Sequence, residues 1–276
     1  MVKIFRLSLV SMLLPCAAHA QFADTFDTLN PAWTTDRYAP AAFQTVSFDG
    51  DNRLQITIDQ TGSSANRPAP TYTAPFFNTQ GDQRPVGIVG EWSLSAQVYV
   101  SATFDTTTGQ LVQTDLWAHT GSTPSTGDYA IFGLTNASPT DPLNPNATDR
   151  SFHFQVFDGT VTDPTSWFDA GLPTGFSFNA WHTLAETYNG TTVEYLLDGV
   201  TVYSDPASDG SSLQTAFLEA YNFGQTDANG LNSYSVYWDN AVADAVIPEP
   251  ASFALAIGLA SLGLGWTQRH WFRKTV

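Results

Sequence analysis

Between residues 21 and 246, apolar side chains recur at every second position in short runs, and no stretch keeps the 3.6-residue spacing of a long amphipathic helix. Such alternation suits a strand with one face buried and the other in water, and it leaves few other folds open. Nine runs follow the rule: RLQITID (53–59), WSLSAQVYV (92–100), TDLWAHT (114–120), YAIFGLT (129–135), SFHFQVF (151–157), WHTLAETYN (181–189), TVEYLLDG (192–199), AFLEAYNF (216–223) and YSVYWDNAVA (234–243). Clusters of Gly, Pro, Asn, Asp and Thr separate them, the punctuation of an all-β domain. Asn189-Gly190 and Asp198-Gly199 each predict a tight hairpin, because these residues tolerate positive φ. No internal repeat is evident, and about 225 residues suffice for one hydrophobic core.

Charge divides the chain into three parts. Lys3 and Arg6 lie at the front, and Arg269, Arg273 and Lys274 at the back. The segment between them holds five arginines, no lysine and all 26 acidic residues, a formal charge of −21. Such a body repels phosphate backbones, which argues against nucleic acid as a partner.

The front predicts a signal peptide over residues 1–20. Lys3 and Arg6 supply the positive region, residues 7–15 the apolar stretch, and Ala18-His19-Ala20 the small residues that signal peptidase requires, with a mature start at Gln21. Pro15 before Cys16 stands where a lipoprotein signal needs a small residue. Cys16 is the single cysteine and leaves with the signal, so the mature chain has no disulfide and no thiolate.

At the back, Pro248-Glu249-Pro250 precedes an apolar run over 251–266 and a basic end containing Arg269, Arg273 and Lys274. The prolines interrupt regular structure, the apolar run enters a bilayer, and the cations stay on the cytoplasmic side. As a helix the run spans ~24 Å, short of a ~30 Å hydrocarbon core, so it is a temporary stop in the inner membrane. This order resembles the PEP-CTERM sorting signal of Gram-negative bacteria. The resemblance implies that an exosortase-type enzyme processes residues 247–276 and releases the protein to the cell surface or extracellular matrix.

The segment AWHTLAETYNGTTVEYLLDGVTVYSD (180–205), with the opening and closing runs, resembles laminin-G-like and concanavalin A-like domains. That resemblance implies a jelly-roll antiparallel β-sandwich over residues 21–246, with one concave sheet that often faces glycan. An immunoglobulin-like sandwich fits less well, since the body is too long for one copy. Glucanases of this type carry Glu-x-Asp-x-x-Glu on one strand, and no glutamate here has that spacing. The Gln-x-His and Arg-x-x-x-Glu sets of polysaccharide lyases are missing from residues 21–246 too, so no catalytic residue is assigned.

Alternation places side chains on faces. Phe152, Phe154 and Val156 mark one core side, and Leu116 with Ala118 and Leu218 with Ala220 mark two more. Trp117, His119, His153, Gln155, Glu219 and Tyr221 therefore share the opposite surface, where rings could stack on sugars and polar groups bond hydroxyls. The same aromatics could instead pack against each other or under a loop. Trp33, Trp92, Trp167 and Trp181 are expected in the core. The resemblance also implies one structural calcium, with the Gly50 carbonyl and the Asp239 carboxylate among its oxygens. Together these features describe an exported, surface- or matrix-sorted carbohydrate-binding protein. A hydrolase with an unusual site and a purely structural matrix component are the alternatives.

Overall fold

A computed structural model describes residues 21–63, 78–107, 109–121, 128–140, 147–159, 167–206, 210–224 and 233–246. The expected signal peptide (1–20) and sorting segment (247–276) lie outside these residues. Contacts separate the chain into two units, Met1–Val246 and Ile247–Val276, and everything described belongs to the first.

The described residues form fifteen strands: β1 (Phe22–Asp24), β2 (Thr34–Thr35), β3 (Ala42–Phe48), β4 (Asp51–Ile58), β5 (Thr79–Val89), β6 (Trp92–Val100), β7 (Gln113–Thr120), β8 (Tyr129–Thr135), β9 (His153–Gly159), β10 (Trp167–Gly171), β11 (Ala180–Tyr188), β12 (Val193–Leu197), β13 (Val200–Asp205), β14 (Ser212–Tyr221) and β15 (Tyr234–Ala245). They build two antiparallel sheets. The first runs β13-β12-β11-β6-β15-β4-β3, with β1 also along β15; the second runs β10-β9-β8-β7-β14-β5-β2.

The core lies between the sheets. In β6, Trp92, Leu94, Ala96, Val98 and Val100 are buried while the residues between them are half-buried, the alternation seen in the sequence. Leu116, Ala118, Phe132, Phe154, Val156, Leu218 and Ala220 meet them from the second sheet. Polar tips in this core find partners across it. Trp238 Nε1 donates to Thr114 Oγ1 at 2.9 Å, and Tyr234 Oη donates to the carbonyls of Gln113 and Tyr221 at 2.8 and 2.6 Å. His182 faces acceptors on both ring nitrogens, Asp198 Oδ2 at 2.7 Å and the Ser177 carbonyl at 2.8 Å. It fastens β11 to the β12–β13 turn, which gives the Trp-His and Asp-Gly pieces of the sequence a structural purpose.

The turns follow their chemistry with one change. Asp198-Gly199 has φ of 51° and 79°, the two-residue hairpin geometry expected, and Asp49-Gly50 repeats it at 51° and 83°. At Asn189-Gly190 only the glycine has positive φ. Asn189 instead accepts the backbone N–H groups of Thr191 and Thr192 on its side-chain oxygen, both at 3.1 Å, and the loop is longer than two residues. Strand β5 escapes sequence recognition because Gly81, Pro85 and Gly87 interrupt it; Pro85 sits at a register irregularity opposite β14, where a missing N–H does least harm.

Strand β1 takes the place beside β15 where β4 stops, pairing Phe22 with Ala243 and Asp24 with Ala241. The backbone N–H of Gln21 donates to the Ala243 carbonyl at 2.8 Å. Both ends of the body therefore meet at one strand.

Candidate functional site

All six residues expected on one surface do lie on the outer face of the second sheet. Residues directly opposite each other share a face, so the register sorts them into rows. One row is aromatic and apolar: Phe217, Trp117, Ile131, Phe157 and Trp167 on β14, β7, β8, β9 and β10. The next is polar: Gly81, Glu219, Asp115, Gly133, Gln155 and Asp169 on β5, β14, β7, β8, β9 and β10. His119 pairs with Tyr129 beyond the aromatic row, and His153 with Thr135 beyond the polar one.

The face is closed over most of its length. Trp117 is 1% exposed and Glu219 0%, and His119, His153, Gln155 and Tyr221 are also buried. The expected open indole at Trp117 is thus corrected. Phe217 and Tyr129 pack against it at 5.9 and 6.0 Å between ring centroids, and the Arg37 guanidinium lies 4.8 Å over the ring. Arg37 and Asp36 follow the short β2 and reach this face because the Asp36 N–H continues the ladder to the Gly81 carbonyl at 3.1 Å. Arg37 Nη2 sits 2.7 Å from Asp36 Oδ2 and 3.9 Å from Glu219 Oε1.

Burial controls the acids. It pushes Asp115 up to about 7, against the opposing effect of hydrogen bonds from Gln113, Gln155 and Trp117. The first two donate at 2.9 and 3.4 Å. Glu219 is held well above the usual carboxylate range by burial, with Arg37 acting in the opposite sense and Asp36 and Asp115 adding to the rise. Asp36 is raised by burial as well. Glu186 is equally buried but points between the sheets, away from this face, and its carboxyl is raised for the same reason.

The face opens at its β9–β10 end. A small open cleft there is lined by Ser138, Pro139, His153, Gln155, Trp167, Phe168 and Asp169. His153 and Gln155 were singled out from the sequence, whereas Trp167 and Asp169 were not. Trp167 was expected in the core and is half-buried instead, as is Trp181 on the first sheet, while Trp33 and Trp92 are core residues. Strand β10 carries only five residues, too few for its alternation to stand out. Asp115 stood on the expected face yet drew no attention, and Gly133 and Gly81 inside strands were the available signal of a close approach.

The calcium expected between Gly50 and Asp239 meets a different arrangement. Asp239 is 2% exposed and pairs with the Arg53 guanidinium, and Asn240 Nδ2 donates to the same carboxylate oxygen at 2.9 Å. Gly50 serves a hairpin turn. Among the described residues no group of three or more His, Cys, Asp or Glu could hold a metal ion. As arranged, Arg53 and Asn240 take one oxygen of the Asp239 carboxylate, and we propose that this pairing stands in place of the ion. Chelator is therefore expected to leave the melting temperature unchanged. Arg53→Ala, which strands a buried carboxylate, should destabilise the fold by about 3 kcal/mol. A melting curve that shifts with chelator would overturn this assignment.

No protein-family profile matches the sequence, and no curated protein matches it. Solved structures do. A Bacteroides ovatus glycoside hydrolase family 16 endo-glucanase matches at 11% identity with a TM-score of 0.53, over 80% of this chain and 99% of that one. A second Bacteroides ovatus family 16 protein, from a mixed-linkage glucan locus, matches at 12% identity and 0.52, over 82% and 99%. The carbohydrate-recognition domain of Emp47p matches at 10% identity and 0.51, over 83% and 97%. The chain also spans 19% of the length of a sialidase. At such identities the likeness shows the fold: this chain is a two-sheet antiparallel β-sandwich of the jelly-roll, concanavalin A-like kind.

Proposed function

We propose that the protein is exported and binds a neutral polysaccharide in the β9–β10 cleft. The cleft carries this reading: exposed Asp169 offers hydrogen-bonding oxygens beside the half-buried ring of Trp167, with the buried His153 and Gln155 forming the wall behind them, the combination that holds a sugar. Neutral chains are favoured because a body of formal charge −21 repels uronic and sulfated ones. Affinity electrophoresis on soluble glucans, mannans and galactans tests it. Trp167→Ala should weaken retardation about five- to tenfold, since ring stacking contributes most where hydroxyls merely exchange water for protein. Gln155→Ala should weaken it less. No retardation by any glycan, or equal retardation of the Trp167→Ala protein, would sink the proposal.

A second reading rests on Glu219 and Asp115, opposed on adjacent strands with Cβ atoms ~4.5–5.5 Å apart by sheet geometry. A protonated acid beside a second carboxyl suits cleavage of glycosidic bonds. Binding leads because both carboxyls are buried beyond a sugar's reach. Release of reducing ends that Glu219→Gln abolishes, with retardation kept, would reverse that order.

For residues 247–276 we propose PEP-CTERM-type sorting by an exosortase after a temporary stop in the inner membrane. Fused to an exported reporter, they should cause processing and surface release in a host with that enzyme. A reporter of unchanged size retained in the membrane would rule this out.

A further inference from the structure

We infer that the mature protein begins with a pyroglutamyl residue formed from Gln21. The inference rests on the export reading above and adds a modification site to it.

Two independent observations meet at this residue. The small-residue signal Ala18-His19-Ala20 places the cut before Gln21. At the same residue the Gln21 N–H donates to the Ala243 carbonyl, and Phe22 next to it is 5% exposed in the core. Asp24, two residues on, is fixed by the Phe26 N–H at 3.1 Å, Trp33 Nε1 at 3.0 Å and Arg84 at 2.9 Å. A peptidase needs an extended, unpaired substrate, so the cut precedes the docking of β1 and leaves a free α-amine on Gln21.

Gln21 itself is exposed, so no packing holds its side-chain amide away from that amine. The α-nitrogen attacks Cδ of the same residue. The N–Cδ bond forms, the Cδ–Nε2 bond breaks, and ammonia leaves with a proton from the attacking amine. Nothing is oxidised or reduced. The five-membered lactam keeps one hydrogen on the α-nitrogen, which can still donate to the Ala243 carbonyl, so β1 pairing tolerates the product. Its consequence is chemical. Lys3 and Lys274 are the only lysines and both lie outside residues 21–246, so cyclisation removes the last primary amine from the body. The start of the chain is thereby closed to aminopeptidases.

The full-length protein is expressed in a secreting Gram-negative host, recovered from the envelope and medium, denatured and digested with trypsin. The first cut after Gln21 falls at Arg37, and the peptide 21–37 is weighed at once and again after a day's hold. The expected peptide is lighter by one ammonia from the first measurement, and Gln21→Ala yields the same start with a free amine. A Gln21 peptide with an intact amine, or a lactam that appears only on holding, overturns the modification and leaves export standing. A peptide that starts elsewhere overturns both.

Discussion

Replacing Gly133 with alanine is expected to destabilise the sandwich by about 3 kcal/mol, read as a lowered urea midpoint. A Cβ at this position would lie 2.0 Å from Asp115 Oδ1 and 2.4 Å from the Thr114 carbonyl. Neither neighbour can step aside cheaply. Asp115 is held by Gln113 and Gln155, and Thr114 by its pairing with Leu134 and by Trp238 from the opposite sheet. Adding Asp115→Ala should recover only part of the loss, since the backbone oxygen remains. Gly81→Ala should behave alike, its Cβ falling 2.0 Å from the Leu218 carbonyl. Because each glycine flanks an acid of the polar row, the pair leaves room for carboxyls in a packed sheet. A Gly133→Ala midpoint equal to wild type would refute the account.

Stability should also fall as pH rises from about 4 to about 7. Below the ordinary value of 3.8, Asp115 is protonated both folded and unfolded. Between 3.8 and about 7 the unfolded chain releases that proton while burial makes the folded protein keep it, so each step upward favours unfolding. Above about 7 the loss is complete, about 4 kcal/mol for this group. Glu219 and Glu186 are raised in the same sense and add to the slope. Exposed Asp149, lowered by its Ser138 and Thr140 hydrogen bonds, works in the opposite direction. Asp115→Asn should therefore be nearly neutral below about pH 4 and clearly stabilising at pH 8. Equal urea midpoints for the variant and wild type at pH 8 would contradict it.

The faces were legible in the sequence because side-chain direction in a strand depends on parity alone. Trp117, His119, His153, Gln155, Glu219 and Tyr221 all fall on the side that period two assigns. Accessibility was not legible, because what covers a face comes from segments distant in sequence. Arg37 reaches Trp117 from just beyond a two-residue strand that carries no periodicity. Arg53 and Asp239 lie 186 residues apart, so their pairing could not be read along the chain. The interior glycines of β5 and β8 look like breaks until the carboxyls beside them are seen.

The pairing of β1 with the end of β15 also has a mechanical consequence. The two strands are antiparallel, and Phe22 lies opposite Ala243, three residues from the last described position. Force drawn between the two ends of the body would load these ladder bonds one after another, as a zipper opens, and peel a three-residue strand at low tension. Force arriving from the tail alone enters at Ala245 and passes into β15, a strand flanked by β1 and β4 on one side and β6 on the other. A body suspended by its C-terminus hangs from a well-anchored strand of its first sheet, and the weak seam carries no load.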